Sequence, residues 1–264
     1  MRSVADQSIA ELGGRVSVLT RQRDDHVTLD SLLERLSTTA PNQQNRVLLD
    51  IYRLVFPHAF AEESVLWPVM RRVLEDGEEL TLQVEREHQE VNELVTRLES
   101  LDAHSVEREP ILDRLIEVLR EDVRDEEDEL FPRLQTKVSV SQLRMLGLAW
   151  EVVRRVAPTR AHPVVARRPP GNVVAALPLS VLDRARDRVD MLVHGDAGNF
   201  DASLRSLSAA LTRASHAVEH LPIMRRGEDP STRVDPKPGA PWGAIALGIV
   251  ATGVAIFVLA RRRS

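Results

Sequence analysis

The chain has 264 residues, 43% hydrophobic and 28% charged, and a formal net charge of −5. That length can hold one substantial core with further segments, and the acidic balance gives no general case for a nucleic-acid partner. With no cysteine, disulfides, thiolate nucleophiles, iron–sulfur clusters and Cys-type zinc sites are all excluded, so any metal must rest on nitrogen and oxygen ligands.

Met1–Gly14 is polar and ends in Gly13-Gly14. It lacks a basic stretch followed by an apolar run, so it reads as a flexible N-terminus and not as a signal peptide. Apolar residues then recur at three- and four-residue spacing, the signature of amphipathic helices. Val16–Ser37 is predicted as the first helix, broken by Pro41, and Asn45–Leu74 as the second, with Pro57 expected to kink it. Glu79–Leu101 is the third, and Pro110 suits the first turn of a fourth that runs to Val138. Val140–Val156 is a fifth helical segment, and no stretch alternates like a strand. The predicted fold is therefore all-α, with an up-down-up-down four-helix bundle plus a fifth helix over residues 15–157.

Residues 158–172 are rich in Pro and Arg and read as an extended linker. Arg154, Arg155, Arg160, Arg167 and Arg168 make a basic stretch there, read as solvated with a weak attraction for anionic lipid headgroups. Residues 173–226 give two additional amphipathic helices, around Val181–Val193 and Phe200–Met224, with His194–Asn199 as the turn. Residues 227–241 form a second, Pro-rich linker. Trp242–Ala260 carries no charge over 19 residues. A helix of that length spans roughly 28 Å, so it reads as a single transmembrane helix, followed by the basic tail 261–264. Ala244, Gly248 and Thr252 form a small-residue stripe within it.

One motif occurs twice, 64 residues apart: His58-Ala-Phe-Ala-Glu62-Glu63-Ser-Val-Leu66-Trp67-Pro68 and Asp122-Val-Arg-Asp-Glu126-Glu127-Asp-Glu-Leu130-Phe131-Pro132. Positions i and i+4 share a helix face, so His58 with Glu62, and Asp122 with Glu126, can each point at one metal. His26 and His88 add a ligand from each intervening helix. Three imidazoles and three carboxylates fit two six-coordinate metals, with Glu62 and Glu126 bridging and one position left for a small molecule; iron, manganese or zinc suits such a set. Glu63, Glu127 and Glu129 read as outer-shell or solvent-facing, and Trp67 and Phe131 as core. His216-Ala-Val-Glu219-His220 has the spacing of an inverted zinc-peptidase motif, but no third ligand follows it.

On these residues the chain resembles the hemerythrin-like, or HHE cation-binding, family over about residues 15–138. The resemblance implies a non-haem di-iron centre and a role in handling oxygen, nitric oxide, peroxide or iron. Two positions depart from the family pattern. Asp122 stands where a fourth-helix His is expected, and Asn92 where oxygen-carrying members have a second helix-three His. A third carboxylate favours the ferric state and argues against oxygen transport. The expected protein is thus a metal-binding bundle tethered to the cell membrane by its C-terminal helix and facing the cytoplasm. Its partners would be a small diatomic or peroxide ligand and the bilayer, with no nucleic acid, and a homodimer would form through the transmembrane helix or residues 173–226. Enzymatic activity is left open, as weak oxidoreductase or peroxidase chemistry. The alternative is a metal-free or degenerate interaction module at the membrane.

Overall fold

The computed structural model describes residues 1–193 and 201–234, and all of its regular structure there is helical. Helices α1 (Val18–Thr38), α2 (Gln44–Ala61), α3 (Trp67–Val73), α4 (Gly77–Glu99), α5 (Arg108–Asp125) and α6 (Phe131–Lys137) build a helical bundle. α7 (Val140–Val156) packs across α1 and α2, and α8 (Gly171–Val193) pairs with α9 (Asp201–Glu219).

The predicted second and fourth helices each contain one widened turn. A π-helical turn, Glu62–Leu66, joins α2 to α3, and another, Glu126–Leu130, joins α5 to α6. In each, an N–H reaches back five residues: Trp67 donates to the carbonyl of Glu62, and Phe131 to that of Glu126. A proline follows at once, Pro68 or Pro132, with no N–H to continue the ladder. The kink expected at Pro57 is therefore displaced: Pro57 lies inside regular α2, and the irregularity comes at the duplicated Glu-Glu.

Pro132 leaves the carbonyl of Glu127 without a helical partner, and the N-terminus supplies one. Val4 N–H donates to it at 3.0 Å and Ser3 Oγ at 3.2 Å. Val4 and Leu12 are fully buried, and Gly13 and Gly14 turn the chain into α1 at φ of 93° and 96°. Residues 1–14, expected to be flexible, are packed because they cover this carbonyl and the end of the core.

Two apolar clusters fill the bundle. One gathers Leu29, Leu33, Phe56, Val91, Val95 and Leu119; the other Leu19, Leu66, Trp67, Val84, Leu130 and Phe131. On each long helix the polar candidate residues fall between the two clusters: His26 between Leu19 and Leu29, His88 between Val84 and Val91.

Residues 158–172, expected as an extended linker, are largely buried, and their last two open α8. Arg160 is 6% exposed and meets three carboxylates, Glu99 at 2.9 Å, Asp187 at 2.7 Å and Asp190 at 2.7 Å. His162 bridges Asp183 and Glu219, each at 3.0 Å. Burial opposes a charge on His162, but the two carboxylates outweigh it and hold its pKa up at about 10. A charged residue in a Pro-rich run reads as solvated until its acids, here on α4, α8 and α9, are folded against it. Arg167 is also buried, at 9% exposure, whereas Arg155 is open to solvent as expected.

α8 begins earlier than the periodicity predicts, at Gly171, and α9 ends at Glu219 before a short 3₁₀ turn at Pro222–Arg225. Among the described residues no helix is long and apolar enough to cross a membrane. The expected transmembrane helix 242–260, the basic tail and the turn 194–199 lie outside the described residues. Replacing Arg160 by Ala removes a buried cation shared by Glu99, Asp187 and Asp190, although Arg186 still meets Glu99 and Asp190 and Thr159 still donates to Asp187. Denaturant unfolding followed by circular dichroism should show a loss of about 3–5 kcal/mol, the usual effect of breaking a buried ion pair from one side.

Candidate metal centre

All six predicted ligands lie in the layer between the two apolar clusters. His26 comes from α1, His58 from α2, His88 from α4 and Asp122 from α5, while Glu62 and Glu126 open the two π turns. The widened turn matters here: each Glu sits at the point where the backbone bulges, one turn beyond His58 or Asp122.

Two ligand groups form, and they share Glu126. His26, His58 and Glu126 converge in one, and Glu62, His88 and Glu126 in the other. His26 Nε2 is 3.2 Å from Glu126 Oε2, and His58 Nε2 is 3.2 Å from Glu62 Oε1. The second oxygen of Glu62 lies 3.7 Å from His88 Nε2, so its carboxylate faces both groups. Asp122 falls outside both tight groups, with Oδ1 3.6 Å from His88 Nε2. The centre is therefore unequal: two imidazoles on one side, one imidazole and Asp122 on the other.

Each imidazole is oriented by a carboxylate behind it. His26 Nδ1 meets Glu127 at 2.9 Å, His58 Nδ1 meets Asp25 at 3.1 Å, and His88 Nδ1 meets Glu63 at 3.0 Å. With Nδ1–H donating outward, each Nε2 lone pair faces the centre, the arrangement of metal-ligating histidines. Glu63 and Glu127 therefore stand in the expected outer positions, and Glu129 is on the surface beside Arg133.

Aromatic rings fix the imidazoles further. Trp67 stacks on His88, with centroids 6.5 Å apart, and Phe131 stacks on His26 at 6.2 Å. Trp150 of α7 meets the His58 ring edge-on at 5.4 Å. The aromatic of each motif copy thus packs against a ligand from another helix. Two arginines from beyond the bundle reach the outer carboxylates: Arg154 lies 3.2 Å from Asp25, and Arg167 lies 3.9 Å from Glu63. Sequence reasoning missed Asp25, Trp150 and these arginine roles. Asp25 adjoins His26 in sequence but serves His58 on another helix, so no spacing rule could have found it.

Five carboxylate oxygens at the centre, both of Glu62, both of Glu126 and Oδ1 of Asp122, are buried with no hydrogen-bond donor among the described residues. Buried carboxylates normally find donors or a cation. The donor set and its orphaned oxygens fit metal cations. A cavity of about 20 Å³ adjoins the centre, walled by the three histidines, Asp122 and Asn92 with apolar neighbours such as Val91 and Leu119. It has room for about one water-sized molecule.

The family model for the hemerythrin HHE cation-binding domain matches residues 17–134, the segment that holds every ligand described above. Over these residues, a little under half of the chain, the protein is similar to the hemerythrin HHE cation-binding domain. It is also similar to an uncharacterized hemerythrin-like protein of Schizosaccharomyces pombe, 28% identical over 172 residues, covering 63% of this chain and 83% of that one. No solved structure matches the chain.

The departures from the hemerythrin pattern have structural counterparts. Asn92 donates through Nδ2 to the carbonyl of His88, and its Oδ1 accepts the backbone N–H of His162 at 2.8 Å. Instead of ligating, it fastens residues 157–167 to the hemerythrin domain. The His216–His220 pair makes no centre: His220 Nδ1 meets the carbonyl of His216, and one oxygen of Glu219 is held by His162.

Charge in the metal-free centre is frustrated. Burial pushes Glu126 up, to about 7, and the charge on Glu62 adds to the effect. Burial and the charge on Glu126 hold Asp122 well above the usual carboxylate range. Burial opposes protonation of the imidazoles, but their carboxylates outweigh it and hold His26 at about 9 and His88 at about 10. Metal binding at neutral pH must therefore displace protons from the imidazoles whose lone pairs it needs. Metal uptake at pH 7 should release several protons per chain, from the imidazoles and the raised carboxyls, measured by titration calorimetry in buffers of different ionisation enthalpy. The stability that His26 and His88 give the metal-free fold is full below the unfolded imidazole pKa and is lost as pH rises through 9 to 10. The extra stability from metal should grow over the same range, read as the gap between thermal midpoints with and without chelator.

Proposed function

We propose that this protein holds a pair of non-haem iron ions in its helical bundle and uses them to bind or sense a small oxidant: dioxygen, nitric oxide or peroxide. The observation that carries the reading is the convergence of three outward-anchored imidazoles on five orphaned carboxylate oxygens. Bound iron would supply Lewis acidity and one-electron chemistry at the layer between the two apolar cores. The chain's own part is positional. Glu62 and Glu126 face both metal positions, while Asp25, Glu63 and Glu127 hold the imidazoles in the ligating tautomer. The adjoining cavity admits only a very small ligand.

Asp122 shapes the chemistry. A third carboxylate near the metals neutralises more cationic charge than an imidazole would, which supports the ferric state and argues for sensing, scavenging or iron handling over reversible oxygen carriage. A metal-free scaffold would leave the five oxygens only partly compensated, by the imidazoles, so that reading has less support. The reading includes a bilayer tether through residues 242–260, which rests on the charge-free run, and puts the bundle on the cytoplasmic side.

Protein purified from iron-replete cells should contain about two irons per chain and show a visible ferric band, as a two-metal ligand set requires. Glu126→Ala removes the residue common to both ligand groups and should abolish both irons, whereas Asp122→His should retain them with a shifted spectrum. Less than one metal per chain, unchanged by His58→Ala, would overturn the two-iron reading. Deleting residues 239–264 should move the protein from the membrane to the soluble fraction with its metal content unchanged; pelleting of the shortened chain would show a second anchor.

A further inference from the structure

Two helices remote from the metal ligands turn apolar side chains to solvent. On α7, Met145, Leu148 and Val152 are 69%, 55% and 63% exposed. Their three- and four-residue spacing puts them on one stripe, while Leu143, Gly147 and Trp150 of the same helix are buried against the bundle. On α8, Val173, Leu177 and Val181 are 54%, 66% and 53% exposed at four-residue spacing, and Ala175 and Leu179 are buried. The two helices meet where Arg184 of α8 donates to the carbonyls of Arg155 and Ala157 at the end of α7. Single exposed aliphatics are ordinary on a soluble surface, but two neighbouring stripes need a cover.

Charge narrows what that cover is. The only acid in α7, Glu151, is tied to Arg21, Arg154 and Arg155, and residues 171–182 at the start of α8 carry no charge at all. Three arginines, Arg21, Arg154 and Arg155, thus share one acid, and the Arg155 side chain is still 75% exposed. Apolar stripes edged by arginine and free of open acids suit anionic lipid headgroups above an acyl layer.

The path of the chain points the same way. Gly171, which opens α8, donates its N–H to the carbonyl of Arg226 at 2.9 Å, so the chain passes the start of α8 before Arg86 of α4 donates to Ser231 Oγ. Seven residues after Val234 the sequence enters the charge-free run Trp242–Ala260, followed by Arg261, Arg262 and Arg263. Seven residues reach at most about 25 Å, so a bilayer holding that run would lie close to this end of α8.

We propose that the outer faces of α7 and α8 rest on an anionic bilayer, so that the hemerythrin domain lies on the membrane in a fixed orientation instead of swinging on a tether. The proposal rests on the tether reading of residues 242–260 and adds a docking face to it. The chain has no cysteine, so single labels can be placed cleanly. An environment-sensitive fluorophore is attached to full-length Leu148→Cys, Leu177→Cys or, as a control on the loop between α4 and α5, Val106→Cys, whose native side is 92% exposed. The variants are mixed with phosphatidylglycerol–phosphatidylcholine vesicles or with phosphatidylcholine alone.

Co-sedimentation reads the tether, and the fluorophore reads the face. Blue shifts at 148 and 177, absent at 106 and larger on the anionic vesicles, are the expected result. Co-sedimentation with all three labels still water-exposed would overturn the docking face and leave the tether standing. Loss of co-sedimentation would remove both. Blue shifts that appear without vesicles and rise with protein concentration would overturn the bilayer in favour of a second copy of the chain.

Discussion

A layer of charge with no access to bulk water divides the bundle's apolar interior in two. Glu62 and Glu126 are fully buried, and His26, His58 and His88 are nearly so. Charges in such a place are tolerated only when each finds a counter-charge. The imidazoles provide part of the compensation, and their outer carboxylates reverse some of it by adding negative charge. Metal cations are the species that would satisfy the remaining oxygens, and the rest of the architecture serves to keep this layer in place.

The duplicated motif does so through the backbone as much as through its side chains. Each copy spends its Glu-Glu on a π turn, which lets the first Glu face the centre and the second stand behind a histidine from another helix. The proline that follows cannot restore the regular ladder, and the aromatic before it stacks on an imidazole. The order Glu-Glu-x-x-Leu-aromatic-Pro is thus one device for ligation, orientation and packing. The freed carbonyl of Glu127 is then capped by the N-terminal segment through Val4, which explains why residues 1–14 are held against the bundle.

Elements outside residues 17–134 also reach the centre. Arg154 of α7 backs Asp25 behind His58, and Arg167 approaches Glu63 behind His88. Asn92 and Arg160 lock the same connecting segment to α4 and α8. Two of the three histidines are therefore coupled through a carboxylate to an arginine that the family domain does not contain. Movement of this outer part against the bundle would alter the field at the metals, because a charge held within a few ångströms of a buried carboxylate is poorly screened.

The sequence by itself determined that the chain is helical, and that His58 with Glu62 and Asp122 with Glu126 share helix faces, because i and i+4 spacing is a local property of a helix. His26 and His88 could be named as candidates beside them only as single histidines on the other two helices. The inequality of the two motif copies was also legible: an Asp in place of His needs no fold to be seen. Tertiary structure alone decided which carboxylate stands behind which imidazole, since Asp25 with His58 and Glu63 with His88 join separate helices. It likewise decided that Arg160, His162 and Arg167 are buried, where a Pro- and Arg-rich run reads as solvated. The reason is common to both cases. A charge reads as exposed from its own neighbourhood in the chain, and only packing brings the distant counter-charge that allows it to leave water.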